Sequence, residues 1–349
     1  MSESTTIAVD LAKSVFQVAV SHRPGKVSES HRLSRDQLVQ FFAQRPPCQV
    51  VLEACGTAHF WARHLQQQGH RVRLLPPAQV RPYVPRNKTD AADARALLEA
   101  HRNEQIRSVP VKTVEQQILT SLHRMRSAWV SQRTARINTV RGLLRELGFV
   151  IPVGARRVVP QVREWLGEQP SPVPQALHGM LEQACQEIGD LAERVRGIEK
   201  QLLALSRQMP LIARLQTIPG VGLLTATALV GLVGDMARFD SSRHFASFLG
   251  LTPRESSSGS RRSLGRISKA GDVYLRTLLI HGARSALTAA KRRSEPDALQ
   301  AWALQAWVRC GHNKAVVGLA NKIARRVWAV WRRETPYRPH PVAASRVAA

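Results

Sequence analysis

The sequence predicts an α/β domain on a mixed sheet, followed by a helical arm and a mainly helical C-terminal region. Three observations carry this. Apolar strand runs precede, and then alternate with, helical patterns in the first 110 residues. Two long stretches, Val111–Gly148 and Gln175–Gln208, place apolar residues at three- and four-residue steps among polar ones. The chain from Leu211 onward is rich in short helical signals, glycine turns and cations. Strands that come first and then alternate with helices imply mixed pairing in one sheet.

Taken in order, Ile7-Ala8-Val9-Asp10 opens an apolar run and Phe16-Gln17-Val18-Ala19-Val20 alternates. The turn-forming His22-Arg23-Pro24-Gly25 then leads to the next strand, giving an antiparallel meander. A helical stretch over 34–44 follows, then a short buried strand Gln49–Glu53, an amphipathic helix from Thr57 to Gln68 and a strand Arg71–Leu75. Thr89 is placed to cap a helix from Asp90 to His101, whose first acids suit the N-terminal dipole. The domain closes near Pro110.

Val111–Gly148 has almost no glycine or proline and can extend about 55 Å as a helix at about 1.5 Å per residue. The Pro- and Gly-bearing Ile151–Pro174 interrupts it before the second helical run. Together the runs read as an antiparallel arm or coiled coil, a common oligomerisation device. The expected organisation is 1–110, 111–208 for the arm, 209–335 for a third domain, and a loose tail over 336–349.

The charge balance narrows the partners. Lys+Arg number 51 against 25 Asp+Glu, a formal net charge of +26 that points to a polyanion, nucleic acid first. With 44% hydrophobic residues the chain is expected to fold rather than stay disordered. Cys48, Cys55, Cys185 and Cys310 are scattered, with no CxxC and no histidine at zinc-ligand spacing, so they are expected to be reduced core thiols. No apolar run of about 18 residues and no signal-peptide pattern appears, so a cytoplasmic location without membrane contact is expected.

Against that basic background four acids stand out. Asp10 interrupts an apolar strand and Glu53 ends a buried one, where an ionised carboxylate needs a cation or a partner. Asp90 and Asp93 share one helical face at i and i+3. Four converging carboxylates suit Mg²⁺ or Mn²⁺, and two such ions about 3.5–4 Å apart serve phosphoryl transfer. The competing reading is that Asp10 and Glu53 cap elements or pair with Lys13 or Lys88 while Asp90 and Asp93 serve a helix start.

Residues Gly250 to Gly271 pack serines, glycines and cations into one loop. A serine attacks a phosphodiester only when cations or N–H groups stabilise the developing charge, and Arg261, Arg262, Arg266 and Lys269 are at hand. The same segment also reads as a flexible loop that grips phosphates without chemistry. Upstream, Ile218-Pro219-Gly220-Val221-Gly222 resembles a helix-hairpin-helix turn, with Gly220 and Gly222 freeing backbone N–H groups for a phosphate. Trp302, Trp307, Trp328 and Trp331, spaced by five and three residues, read as a buried stripe among many cations.

Together these residues resemble the DEDD transposases of bacterial insertion sequences, whose best understood members are bridge-RNA-guided recombinases. The marks are Val9-Asp10-Leu11-Ala12-Lys13, Glu53-Ala54-Cys55-Gly56 with Trp61, Lys88-Thr89-Asp90-Ala91-Ala92-Asp93-Ala94, Arg141-Gly142-Leu143-Leu144, the Pro-Gly-Val-Gly turn, and Ser257-Ser258-Gly259 followed by Gly265-Arg266-Ile267-Ser268-Lys269. The resemblance spans nearly the whole chain. It implies an RNase H-like (RuvC-type) domain carrying Asp10, Glu53, Asp90 and Asp93, a coiled-coil arm, and a transposase domain carrying a nucleophilic serine. The serine directly before the glycine is Ser258, with Ser257 as the fallback, and Ser260 stands where many relatives carry a second glycine.

The mechanism that the resemblance implies is a composite site. Mg²⁺ (or Mn²⁺) held by the acids aids attack by Ser258 of another subunit, giving a 5′-phosphoserine before strand exchange between donor and target DNA. A shared site implies a dimer assembling to a tetramer. Base pairing with a structured bridge RNA would choose the target, while Lys13, Lys88, Gly220, Gly222, Arg261, Arg262, Arg266 and Lys269 grip backbones. The alternative is a metal-dependent nuclease or Holliday-junction resolvase that uses the four acids with water as nucleophile. A non-catalytic architectural protein would need neither acids nor metal.

Overall fold

The computed structural model describes residues 5–85 and 90–339, and at Asp90 and Ala91 the backbone alone. The chain divides into two compact units, Met1–Glu115 and Gln116–Ala349.

The first unit is a mixed α/β layer structure. In chain order it comprises β1 (Thr6–Asp10), β2 (Val15–Ser21), β3 (Glu29–Ser34), α1 (Arg35–Ala43), β4 (Gln49–Glu53), α2 (Ala58–Gln67), β5 (Arg71–Leu75), the short α3 (Pro77–Val80) and α4 (Asp90–Arg102). The strands lie in the order β3-β2-β1-β4-β5. β1 pairs antiparallel with β2, and β2 with β3, whereas β1–β4 and β4–β5 are parallel. Mixed pairing is therefore present, as the strand and helix order predicts.

Alternation along the strands builds two cores. One face carries Ile7, Val9, Phe16, Val18, Val50, Leu52 and Leu74, packed on Leu38 and Phe42 of α1 and on Trp61, Ala62 and Leu65 of α2. The Ser34–Gln37 capping box fixes where α1 starts. The opposite face is lined by Ala8, Ala19, Val51 and Leu75 beneath Ala94, Leu97 and Ala100 of α4. Ala8 faces Ala19 across neighbouring strands, so small side chains let α4 approach the centre of the sheet.

The second unit is helical. Its elements are α5 (Val114–Glu146), which begins just before the division, α6 (Val158–Gly167), α7 (His178–Ser206), α8 (Pro210–Gln216), α9 (Leu223–Val233), α10 (Ser242–Phe248), β6 (Pro253–Glu255), β7 (Leu264–Ile267), α11 (Val273–Ala290), α12 (Ala298–Cys310) and α13 (His312–Arg333). α5 and α7 run antiparallel, because Arg126 meets Glu199 at 2.7 Å and Arg136 meets Glu187 at 2.6 Å. At one end their Leu119, Ile198 and Leu202 join the core of α8–α13. At the other end Ile137, Val140, Leu144, Leu181, Cys185 and Ile188 form a separate core with Val158 and Val162 of α6.

Two expectations change here. The stretch 151–174 is not merely an interruption, since it contains α6, whose Pro160 sits in the first turn, where a missing N–H is tolerated. The tail is docked at its start: the Tyr337 N–H donates to Thr217 Oγ1 at 2.8 Å, and its ring packs on the C-terminal core. Residues 340–349 lie outside the described part. Trp302, Trp307, Trp328 and Trp331 are half-buried against that core. Lys322 and Lys291 cover the rings of Trp302 and Trp307 at 4.2 and 3.4 Å. All four cysteines are free thiols, Cys48 and Cys185 buried, Cys55 and Cys310 half-buried. Among the described residues no helix is long and apolar enough to cross a membrane.

Candidate catalytic and nucleic-acid sites

The sheet brings two of the four acids together. Asp10 and Glu53 are the last residues of the neighbouring parallel strands β1 and β4, each one step beyond the paired Val9 and Leu52. Both follow the parity of Ala8 and Val51, so both belong to the face covered by α4.

The direction of α4 places a third acid at the same end. The β2–β3 turn lies at the start of β1, because Thr6 pairs with Ser21. Arg102, the last residue of α4, lies against that turn, with its Nη1 3.1 Å from where a Cβ on Gly25 would sit. α4 therefore runs antiparallel to β1, and its first turn lies at the end that carries Asp10 and Glu53. Asp93 is half-buried and sits one turn before the buried Leu97, on the stripe that faces the sheet. Asp90 begins the helix, and its side chain lies outside the described residues.

This donor set fits a divalent metal by its chemistry, since carboxylate oxygens are the ligands of hard ions. Among the described residues no group of three or more His, Cys, Asp and Glu side chains is assembled as a complete metal site. Asp10 and Glu53 each have a partner within the protein. Lys13 is exposed in the loop that follows Asp10, whereas Lys88 and the expected cap Thr89 lie outside the described residues.

The serine segment is a hairpin rather than a loop. β6 and β7 pair antiparallel, and Ser258 and Arg261 form a further bridge beyond them through Ser258 N–H to Arg261 O at 3.3 Å and Arg261 N–H to Ser258 O at 3.1 Å. Gly259 and Ser260 form the two-residue turn, with the positive φ of +54° at Gly259, the pattern of a type II′ turn. Residues 253–266 are all exposed.

The two candidate serines differ in their bonding. The Ser257 hydroxyl donates to Glu255 Oε1 at 2.8 Å and accepts from the Ser263 N–H at 3.2 Å. That bond, with Arg262 beside it, holds the Glu255 carboxyl below the usual carboxylate range. The Ser258 hydroxyl has no hydrogen-bond partner among the described residues. Arg261 and Arg266 project on the same exposed hairpin, and Lys269 follows it in a left-handed conformation, φ +55°.

The hairpin base is held by close backbone approach. A Cβ on Gly250 would fall 2.0 Å from Ala270 O, and one on Gly271 would fall 1.9 Å from Phe248 O. The buried Arg276 donates through Nη1 to Leu249 O at 3.3 Å and Ala270 O at 3.0 Å, tying the end of α10 to the hairpin's exit. Sequence reasoning did not single out Arg276. Its signal is a cation on the apolar stripe Leu275, Leu279, Ala283 of α11.

The Pro-Gly-Val-Gly turn joins α8 to α9. Gly220 has φ +89° and presses on α11, so that a Cβ on Gly282 would lie 1.9 Å from Gly220 O. Gly222 has open space around it and precedes α9 with no side-chain cap. The turn lines a cleft of about 790 Å³ together with His281, Ser285 and Arg293. Free N–H groups of the first turn of α9 and these side chains suit a phosphate group.

Family models match two separate parts of the chain. The DEDD transposase family model of the IS110 group matches residues 7–149, and the model described as "Transposase IS116/IS110/IS902 family" matches residues 212–299. A "Probable family 20 transposase" of Pseudomonas aeruginosa is 43% identical over 334 residues, covering 95% of this chain and 98% of the relative. The "Transposase for insertion sequence element IS1111A" of Coxiella burnetii is 39% identical over 338 residues, covering 97% and 92%. The "Transposase for insertion sequence element IS1328" of Yersinia enterocolitica is 37% identical over 335 residues, covering 95% and 97%. With similarity of this depth over nearly its full length, the chain belongs to the DEDD transposases of the IS116/IS110/IS902 family.

Proposed function

We propose that this transposase cuts and rejoins donor and target DNA through a composite site made of the acids Asp10, Glu53, Asp90 and Asp93 and the nucleophile Ser258. The observation that carries this reading is the meeting of Asp10 and Glu53 on adjacent strand ends beneath the first turn of α4. Those carboxylates would hold Mg²⁺ or Mn²⁺, which supplies charge neutralisation at the phosphate that reacts.

The chain's own residues perform the transfer. Ser258 Oγ forms a bond to phosphorus as the bond from phosphorus to the 3′ oxygen breaks; the serine proton ends on the released 3′-hydroxyl, and the 5′ phosphate stays on the serine. Attack by the 3′-hydroxyl of the other DNA reverses these steps and restores the serine. The unpartnered Ser258 at the hairpin turn supports this assignment over Ser257, whose hydroxyl is engaged with Glu255. Arg261, Arg262, Arg266 and Lys269 bind the flanking backbone, as do Lys13 and Lys88, which stand close in sequence to Asp10 and Asp90, and Gly220 and Gly222 at the turn.

Sites shared between subunits require a dimer, and holding two DNAs suits a tetramer assembled through the α5–α7 arm. A structured bridge RNA selects the sequences, in keeping with the net charge of +26. The test is strand transfer with purified protein, donor and target DNA, and the RNA from the same element. Recombination that needs RNA, divalent metal, Ser258 and the acids supports the reading, and undiminished recombination without RNA removes the guide. Full cleavage by Ser258→Ala without a protein–DNA adduct would turn the enzyme into a hydrolytic nuclease or resolvase.

A further inference from the structure

The sheet register extends the acid pair sideways. Asp10 pairs with Gln17 of β2, and Gln17 pairs with Arg32 of β3. Glu53, Asp10, Gln17 and Arg32 therefore form one row across four strands on the face that α4 covers at its centre. β3 is the edge of the sheet, where Ser30, Arg32 and Ser34 are exposed on that face.

Arg32 is an exposed cation on the edge strand. Its guanidinium has no hydrogen-bond or ion-pair partner among the described residues. The carboxylate of its own strand, Glu29, is spent on the opposite face, with His31 and Arg45 both at 2.9 Å. Gln17 Nε2 donates to Ser30 Oγ at 3.0 Å, tying β2 to β3 beside the row. Two strand spacings of about 4.8 Å put the Arg32 backbone about 10 Å from that of Asp10. That span covers two or three nucleotide rises of about 3.4 Å along one DNA strand.

We propose that Gln17 and Arg32 continue the acid site as a backbone track, with Arg32 receiving a DNA phosphate close to the one that reacts at Asp10 and Glu53. The inference rests on the reading of those acids as the reaction centre. It names a direction across the sheet, from β4 toward β3, in which the bound strand runs.

The test uses the full-length transposase and a fluorescein-labelled duplex carrying the element's end, with single neutral methylphosphonates placed at each position around the cleaved phosphate. Wild type is expected to bind about fivefold more weakly at one or two neighbouring positions, the loss of one phosphate contact. Arg32→Gln is expected to bind the unmodified duplex about fivefold more weakly, to lose sensitivity at those positions alone, and to lower the salt slope by about one. Arg32→Lys should restore part of both, and melting curves check that each variant folds. If Arg32→Gln keeps the wild-type interference pattern, the track is refuted and Arg32 serves only to keep an edge strand from pairing with other chains. Asp10→Asn, measured beside it, separates the two readings: full cleavage by that variant removes the acid site, while the Arg32 result is read from binding alone.

Discussion

The Ser257 hydroxyl donates to Glu255 Oε1 at 2.8 Å, within a strand-to-turn lock that leaves the next serine unengaged. The two serines are therefore expected to separate in experiment. Ser258→Ala should abolish the covalent protein–DNA adduct and lower strand cleavage by at least about a thousandfold, the scale for removing a nucleophile. Ser257→Ala removes only exposed hydrogen bonds and should retain the adduct, with cleavage within about tenfold of wild type. A denaturing gel that shows the adduct surviving in Ser258→Ala and lost in Ser257→Ala would reverse the assignment.

The acids are expected to act on chemistry and not on binding. Asp10→Asn and Glu53→Gln should each reduce Mg²⁺-dependent cleavage by about three orders of magnitude or more while leaving duplex affinity within a few-fold. Chelation by EDTA should mimic both variants in wild type, and adding Mn²⁺ should restore the wild type first. Cleavage that persists in both variants would leave the acids as structural groups.

Gly282 of α11, which packs on the α8–α9 turn, and Gly222 within that turn carry different demands. Gly282→Ala would drive a methyl group to 1.9 Å from Gly220 O, so the backbone must part and about 2–3 kcal/mol or more of stability is lost. Gly222→Ala meets nothing within 4 Å and has φ −88°, so folding should suffer by about 1 kcal/mol or less. Thermal melting of both variants checks this contrast. Equal destabilisation would show that the approach of Gly220 to α11 is not what fixes the turn.

Much of the first unit is legible in the sequence because its strands are buried on one or both faces and its acids break apolar runs. Asp10 and Glu53 are visible on that ground alone. The row Asp10–Gln17–Arg32 is not, because register depends on the lengths of the β1–β2 and β2–β3 turns, and Gln17 and Arg32 look like ordinary polar residues. The serine hairpin was expected as a loop for a related reason: with residues 253–266 exposed on both faces, no period of two is written in its hydrophobicity. α6 was hidden by Pro160, although a proline in a first turn permits a helix. His123 offers no sequence signal within the Arg-rich α5, yet it is buried and bonded on both ring nitrogens.

That histidine makes stability depend on pH. Thr227 Oγ1 donates to Leu223 O at 2.7 Å, so it accepts from His123 Nε2–H at 2.9 Å, and His123 Nδ1 then accepts from the Tyr274 hydroxyl at 2.9 Å. The ring is thus held neutral. Burial first, and the charge of Arg126 second, lower its pKa from 6.5 to about 4. Between those values the unfolded chain binds the proton and the folded chain does not, so stability is full above pH 6.5 and is lost as pH falls toward 4. The shift corresponds to roughly 3–4 kcal/mol at most, at about 1.4 kcal/mol per unit. His59, lowered to about 4 by burial and then by Lys112 and Arg63, adds a contribution of the same sign in the first unit. Glu29, held at about 2 chiefly by His31, adds its own loss only below its usual 4.5. The melting temperature of the protein should therefore drop between pH 6.5 and 4, and His123→Gln, which keeps polar atoms at the site without titrating, should melt lower at pH 7 but with a shallower pH slope. A slope unchanged in His123→Gln would place the titrating group elsewhere.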